Sequence, residues 1–213
     1  MKFGNLLTLL GGQAWFDLAT ASQLSGQSGS GLVAQLHRWS KAGKLIPLRR
    51  GMYALAKEYR QTSIHPAQLA NEIYSPSYLS SYWALGFYGL IPEKTVAYTS
   101  VTTRTPKTFA NAFGTFTYRH VNPSFFFGYR RVEIDGVSVV LAEPEKALLD
   151  LWHLEPGMWD ESRLLEMRFQ NMEMVDLDRL LGFALRFSSP RLIETVKKLN
   201  RLVREEHRGT VEL

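Results

Sequence analysis

Residues 19–54 read as a helix, a tight polar turn, a second helix and a basic two-stranded hairpin, and this order constrains the fold more than any other feature of the chain. Leu18, Ala21 and Leu24 recur at i, i+3 and i+6, the stripe of a helix over about residues 19–25. Gly26 follows and, with no Cβ, accepts the left-handed conformation that stops a helix. Gln27-Ser28-Gly29-Ser30 is a polar turn in which a hydroxyl is expected to cap the next helix. In that helix Leu32, Val33, Leu36 and Trp39 are expected to bury one side, while Ser30, Ala34, Gln35, Arg38 and Lys41 project from the other; Gly43 ends it. Residues 44–48 and 52–55 are short β-like segments joined by Arg49-Arg50-Gly51, a basic hairpin tip.

Helix, tight turn, helix and basic hairpin in that order spell a winged helix-turn-helix, whose usual ligand is double-stranded DNA. Small residues such as Ser28 and Ser30 permit close approach to a major groove, Gln35 is suited to adenine, and Arg38 to guanine or phosphate. Lys41, Arg49 and Arg50 add phosphate-directed charge, the two arginines from the wing. The plainer reading is a hairpin that merely closes a small helical domain.

Charge distribution favours the DNA reading. Residues 1–60 hold eight Lys and Arg against Asp17 and Glu58, whereas the other 153 residues hold 17 bases and 18 acids. The whole positive excess therefore lies in the proposed DNA module, as expected of a protein that displaces counterions from phosphates. The chain's 213 residues, 45% hydrophobic and 12% aromatic, suffice for two cores. With no cysteine, disulfides and thiolate metal sites are excluded, and a cytoplasmic setting is compatible. The leucines at 6, 7, 9 and 10 read as a first helix, too short to span a membrane and lacking a cleavage pattern.

The expected organisation is α+β: a winged domain over 1–56, a mixed α/β domain with antiparallel strands over 57–155, and a helical extension over 156–213. Residues 56–64 read as the linker. Helices are expected over 65–74 and 78–90, the second apolar around most of its circumference and hence buried. Strands are expected over 95–102, 115–121, 129–134 and 137–141, with Asp135-Gly136 as a two-residue hairpin turn. Three amphipathic helices follow over 160–172, 177–187 and 190–207. The stripe Leu192, Val196, Leu199 and Val203 suits the chain's own core or, alternatively, a homodimer contact.

Three elements together resemble AbiEi-type antitoxins. They are the run Glu143-Pro144-Glu145-Lys146-Ala147-Leu148-Leu149-Asp150 after a strand, the segment Tyr78-Leu79-Ser80-Ser81-Tyr82-Trp83-Ala84-Leu85 ending in Tyr88-Gly89-Leu90, and the preceding basic module. The resemblance covers roughly residues 5–155. It implies a transcriptional repressor of its own operon and the antitoxin of a type IV toxin–antitoxin system. The second domain would then oppose a nucleotidyltransferase-like toxin without a stable complex. It brings no catalytic motif; Tyr82, Trp83, Glu145, Lys146 and Asp150 are its marker positions, as compatible with packing as with function.

Enzyme chemistry is the competing class. A nuclease set of Asp followed by Glu-Xaa-Lys fails by one residue, since Lys146 adjoins Glu145 and position 147 is Ala. His37, His65, His120, His153 and His207 show no i, i+4 pair, and no phosphate loop or nucleophile elbow occurs, so no metal, cofactor or catalysis is expected. A third reading is a ligand-sensing regulator whose Tyr118, Phe125, Phe126, Phe127 and Tyr129 line a pocket.

Overall fold

In a computed structural model the first 56 residues build three helices around a small sheet. Helix α1 (Phe3–Leu10), strand β1 (Trp15–Asp17), helix α2 (Leu18–Ser25), helix α3 (Gly29–Lys41), strand β2 (Leu45–Arg49) and strand β3 (Met52–Leu55) follow in that order. The structure describes residues 1–93 and 95–211, the last six by backbone alone. The strands form an antiparallel sheet in the order β1-β3-β2, so the short β1, too brief to show an alternation, closes one edge. Leu6, Leu10, Phe16, Ala21, Leu32, Leu36, Leu45 and Leu55 make the core, where the helical and strand stripes meet. Asp17 starts α2 by accepting from the Thr20 amide at 2.8 Å, and Gly26 ends it at φ +63°.

The larger unit is a six-stranded mixed sheet with helices on it, which makes the chain α+β. After a 3-10 turn (Lys57–Tyr59) come α4 (Pro66–Ile73), β4 (Ser77–Leu79), α5 (Ser81–Phe87), β5 (Ala97–Thr102), β6 (Lys107–Asn111) and β7 (Gly114–His120). Strands β8 (Tyr129–Ile134) and β9 (Val137–Ala142) then lead into α6 (Pro144–Leu154), α7 (Glu161–Glu166), α8 (Leu177–Arg186) and α9 (Pro190–Val211). The strand order is β6-β7-β5-β4-β9-β8, with β5–β7 and β4–β9 parallel and the other pairs antiparallel. Asp135 and Gly136 both take positive φ, +49° and +78°, as the two-residue turn between β8 and β9 requires.

Several boundaries depart from the sequence reading. The expected helix over 78–90 is instead β4 followed by α5, and Ser77–Leu79 lies in the middle of the sheet. A three-residue run buried throughout carries no period by which strand and helix differ. Strand β6 was not expected: it is a polar edge strand with only Phe109 and Asn111 partly covered. The helix expected over 160–172 stops at Glu166, after which Arg168 and Asn171 take positive φ and a 3-10 turn covers Met172–Met174. Residues 56–64 are anchored at both ends and exposed between them except at Arg60: Ala56 and Ile64 are buried, and the Ala56 amide donates to the Lys44 carbonyl at 3.0 Å.

Nor do the two units merely adjoin. Leu48, Met52 and Ala54, from the face of the small sheet opposite its own core, and Ala14 just before β1 belong to the large core. Asn111 Nδ2 donates to the Leu48 carbonyl at 3.1 Å, tying β2 to β6. The stripe Leu192, Val196, Leu199 and Val203 of α9 is buried in that same core.

Candidate nucleic-acid interface

Helix α3 is held by one edge and open on the rest. Leu32 and Leu36 are fully buried, and Trp39 packs edge-on against Phe3 with ring centroids 5.2 Å apart. Ser30, Gly31, Val33, Ala34, His37, Arg38 and Lys41 are exposed and form one continuous face; α3 contains no acid. Val33, expected inside, is 44% exposed, because it stands about 100° around the helix from Leu32 and only a narrow stripe meets the core. His37, which the apolar spacing left unassigned, lies on the same open face.

Gln35 departs from its expected place. Its side chain is half-buried and donates to the Met1 carbonyl, which anchors the N-terminus against α3 instead of presenting an amide outward. Three residues beyond Leu32 and one before Leu36, it borders the buried stripe. Ser28 stands at the N-cap but its hydroxyl makes no capping bond, so the expected cap is not formed. Ser28 and Ser30 are both exposed, and the first amides of α3 lack a side-chain acceptor at this cap.

The hairpin tip separates its two arginines. Arg49 turns inward: its Nε donates to the Ile73 carbonyl at 2.6 Å and its Nη1 to the Arg50 carbonyl at 3.1 Å. It thus fastens the hairpin to the end of α4. Asp17 senses the same guanidinium, although its carboxyl is held below the ordinary range chiefly by the Thr20 amide. Arg50 remains exposed, and among the described residues neither it nor Arg38 or Lys41 joins an ion pair.

The marker positions of the larger unit point inward. Lys146 and Asp150 are wholly buried and paired one turn apart on α6. Asp150 Oδ2 also accepts from Tyr78 at 3.0 Å and from Ser80 at 2.7 Å, while the Lys146 ammonium lies 5.1–5.5 Å from the centres of the Tyr78, Phe127 and Phe187 rings. Burial pushes the Lys146 ammonium below its usual range, against the pull of Asp150, and pushes the Tyr78 hydroxyl up. Glu145 does not simply face the dipole of its own helix. Its Oε1 accepts from the Asp176 amide at 2.9 Å, stitching the start of α6 to the start of α8. Beside it Glu143 pairs with Arg179. Tyr82 is half-buried, and Trp83 stacks on Phe87 at 5.7 Å.

The aromatic run is likewise packed. Phe125 stacks on Phe187 at 4.2 Å, Phe127 meets Phe183 edge-on at 5.1 Å, and Phe126 and Tyr129 lie against Tyr78. Asp135 contacts His65 at 3.4 Å and is far out in its turn. Among the described residues no group of three His, Asp or Glu side chains is placed to hold a metal, and no helix is long and apolar enough to cross a membrane; the side chain of His207 lies outside the described residues. No family model matches the chain, and no characterised protein matches it significantly in sequence.

Proposed function

We propose that the chain is a DNA-binding transcriptional repressor, with the open face of α3 in the major groove and the N-terminal unit acting as a winged helix-turn-helix. The observation that carries this reading is the acid-free face Ser30, Val33, Ala34, His37, Arg38 and Lys41 on a helix whose other side is locked into the core. Small side chains at its N-terminal end let the helix approach base edges, Arg38 reads a base edge, and Lys41 meets phosphate. The order α1-β1-α2-α3-β2-β3 with sheet order β1-β3-β2 supports the winged reading, since it sets the hairpin beside a helix pair. Arg38 and Lys41 are the direct contacts, Arg50 the wing contact, and Gln35 and Arg49 hold the reading elements in place.

The antitoxin half of the reading rests on the resemblance of residues 78–90 and 143–150 to AbiEi-type proteins. Residues 145–150 are buried here, whereas Tyr82 and Trp83 are partly exposed and Phe87 is exposed, so a surface that opposes a nucleotidyltransferase-like toxin would include this side of α5. The proposed protein works without a catalytic centre or a cofactor, in the cytoplasm, with its own promoter as ligand.

Footprinting on the DNA upstream of the gene tests the first half: protection of a discrete site there is expected, and binding no tighter than to unrelated duplex would remove it. For the second half, the chain is co-expressed with a nucleotidyltransferase-like protein encoded beside it. Restored growth is expected, and unrelieved toxicity would restrict the proposal to transcription.

A further inference from the structure

Beyond α3, a cleft of about 400 Å³ opens where the β2–β3 hairpin meets the large sheet. Arg49 and Arg50 of the turn, Arg104 after β5 and Lys107 at the start of β6 converge on it, and its lining contains no carboxylate. Two of these cations are fixed. Arg49 is bonded to the Ile73 carbonyl, and Arg104 donates to the Ser75 carbonyl at 3.0 Å with its guanidinium 4.2 Å from the centre of the Tyr74 ring. The other two, Arg50 and Lys107, are exposed and join no ion pair among the described residues. Asp17, beside Arg49, offsets part of this charge.

Four like charges on one opening raise one another's energy, and an anion seated among them lowers it. Fixed guanidiniums cost little further ordering when they bind, and Arg matches phosphate geometry in two directions at once. The turn that supplies Arg49 and Arg50 also belongs to the sheet that shares a core with α3, through Leu36 and Leu45. We infer that this cleft seats backbone phosphates of the same duplex that α3 reads, so that the DNA-contacting surface runs onto the edge of the larger unit. The inference rests on the DNA-binding reading above. It identifies Arg104 and Lys107, outside the winged module, as phosphate contacts.

The test uses the full chain and a duplex of its own upstream DNA in a binding titration across salt concentrations. An Arg50→Ala, Lys107→Ala variant is expected to bind roughly tenfold more weakly, with a salt slope shallower by about 2, and to keep its preference over a scrambled duplex. Lys107→Arg in the Arg50→Ala background should recover about half of the slope. Both positions are exposed, and an unchanged thermal melt is the folding control. An Arg38→Ala, Lys41→Ala variant should instead lose the preference. If the cleft variant matches the wild type in affinity and slope while the α3 variant fails, the cleft inference is overturned and the DNA reading stands. Absence of any preference in the wild type overturns both. Inorganic phosphate that binds the wild type tightly without competing with the duplex would assign the cleft to a free anion and overturn the inference.

Discussion

Arg38 on α3 and Lys146 on α6 carry the same charge into opposite surroundings. Lys146 is sealed under three aromatic rings and paired with Asp150, which Tyr78 and Ser80 also serve. Arg38 stands in solvent on a face without an acid. A buried charge that is fully paired has nothing left to offer a ligand, whereas an exposed, unpaired one keeps its whole hydrogen-bonding capacity. The contrast separates what holds the larger unit together from what the N-terminal unit can recognise.

The largest effect should come from breaking the buried set. Asp150→Ala leaves an ammonium and two hydroxyls without their shared acceptor, and a loss of about 3–5 kcal/mol in a denaturant titration is expected. Replacing both partners, as Lys146→Met with Asp150→Leu, should cost less than Asp150→Ala alone. A loss below about 1 kcal/mol for Asp150→Ala would mean that the network is not structural.

Arg38→Ala should do the reverse. Stability is expected to stay within about 0.5 kcal/mol, while affinity for the upstream duplex falls by about 1–3 kcal/mol in a binding titration. Next in size is the cap of α2. Asp17→Ala should cost about 1 kcal/mol of stability, read from the shift of the denaturant midpoint. Because the folded carboxyl titrates below its ordinary value, this contribution is present above the ordinary carboxylate range and is lost as pH falls through the folded value.

The smallest effect concerns His153, packed against Phe125 and Phe187. Burial lowers its pKa in the folded chain, so the unfolded chain takes up the proton first. Stability should therefore decline as pH drops below about 6.5, the ordinary histidine value, and level off once the folded value is passed. Replacing His153 by Gln should flatten that part of the stability–pH curve, and an unchanged slope would exclude His153 as its source.

The N-terminal unit was legible because α2 and α3 carry helical apolar spacing, and β2 and β3 are short segments set off by Gly43 and the Arg49-Arg50-Gly51 turn. Gly26 and the Asp135-Gly136 turn added punctuation whose conformation follows from residue type. What sequence could not show was direction about a helix axis to within one residue. Val33 and Gln35 lie on either side of the buried stripe, and only the placement of α1 and the N-terminus decides which of them is covered. Arg49 and Arg50 are indistinguishable in sequence, yet the Ile73 carbonyl, 24 positions away, claims one of them. The convergence of Arg104 and Lys107 on the hairpin was hidden for the same reason. It depends on β6 lying beside β2, a pairing of units that no local pattern encodes.

The most direct test of the central claim exploits the absence of cysteine, which makes any introduced thiol unique. A DNA-cleaving iron chelate is attached at Ala34→Cys on the open face of α3, and at Leu9→Cys, 43% exposed on α1, as a control. With the upstream duplex bound, the reagent on α3 should cut at one confined position with the strand offset of a major-groove origin, and the reagent on α1 should cut weakly or not at all. A duplex that stays bound but uncut from position 34, or is cut equally from position 9, would contradict the assignment of α3 as the reading helix.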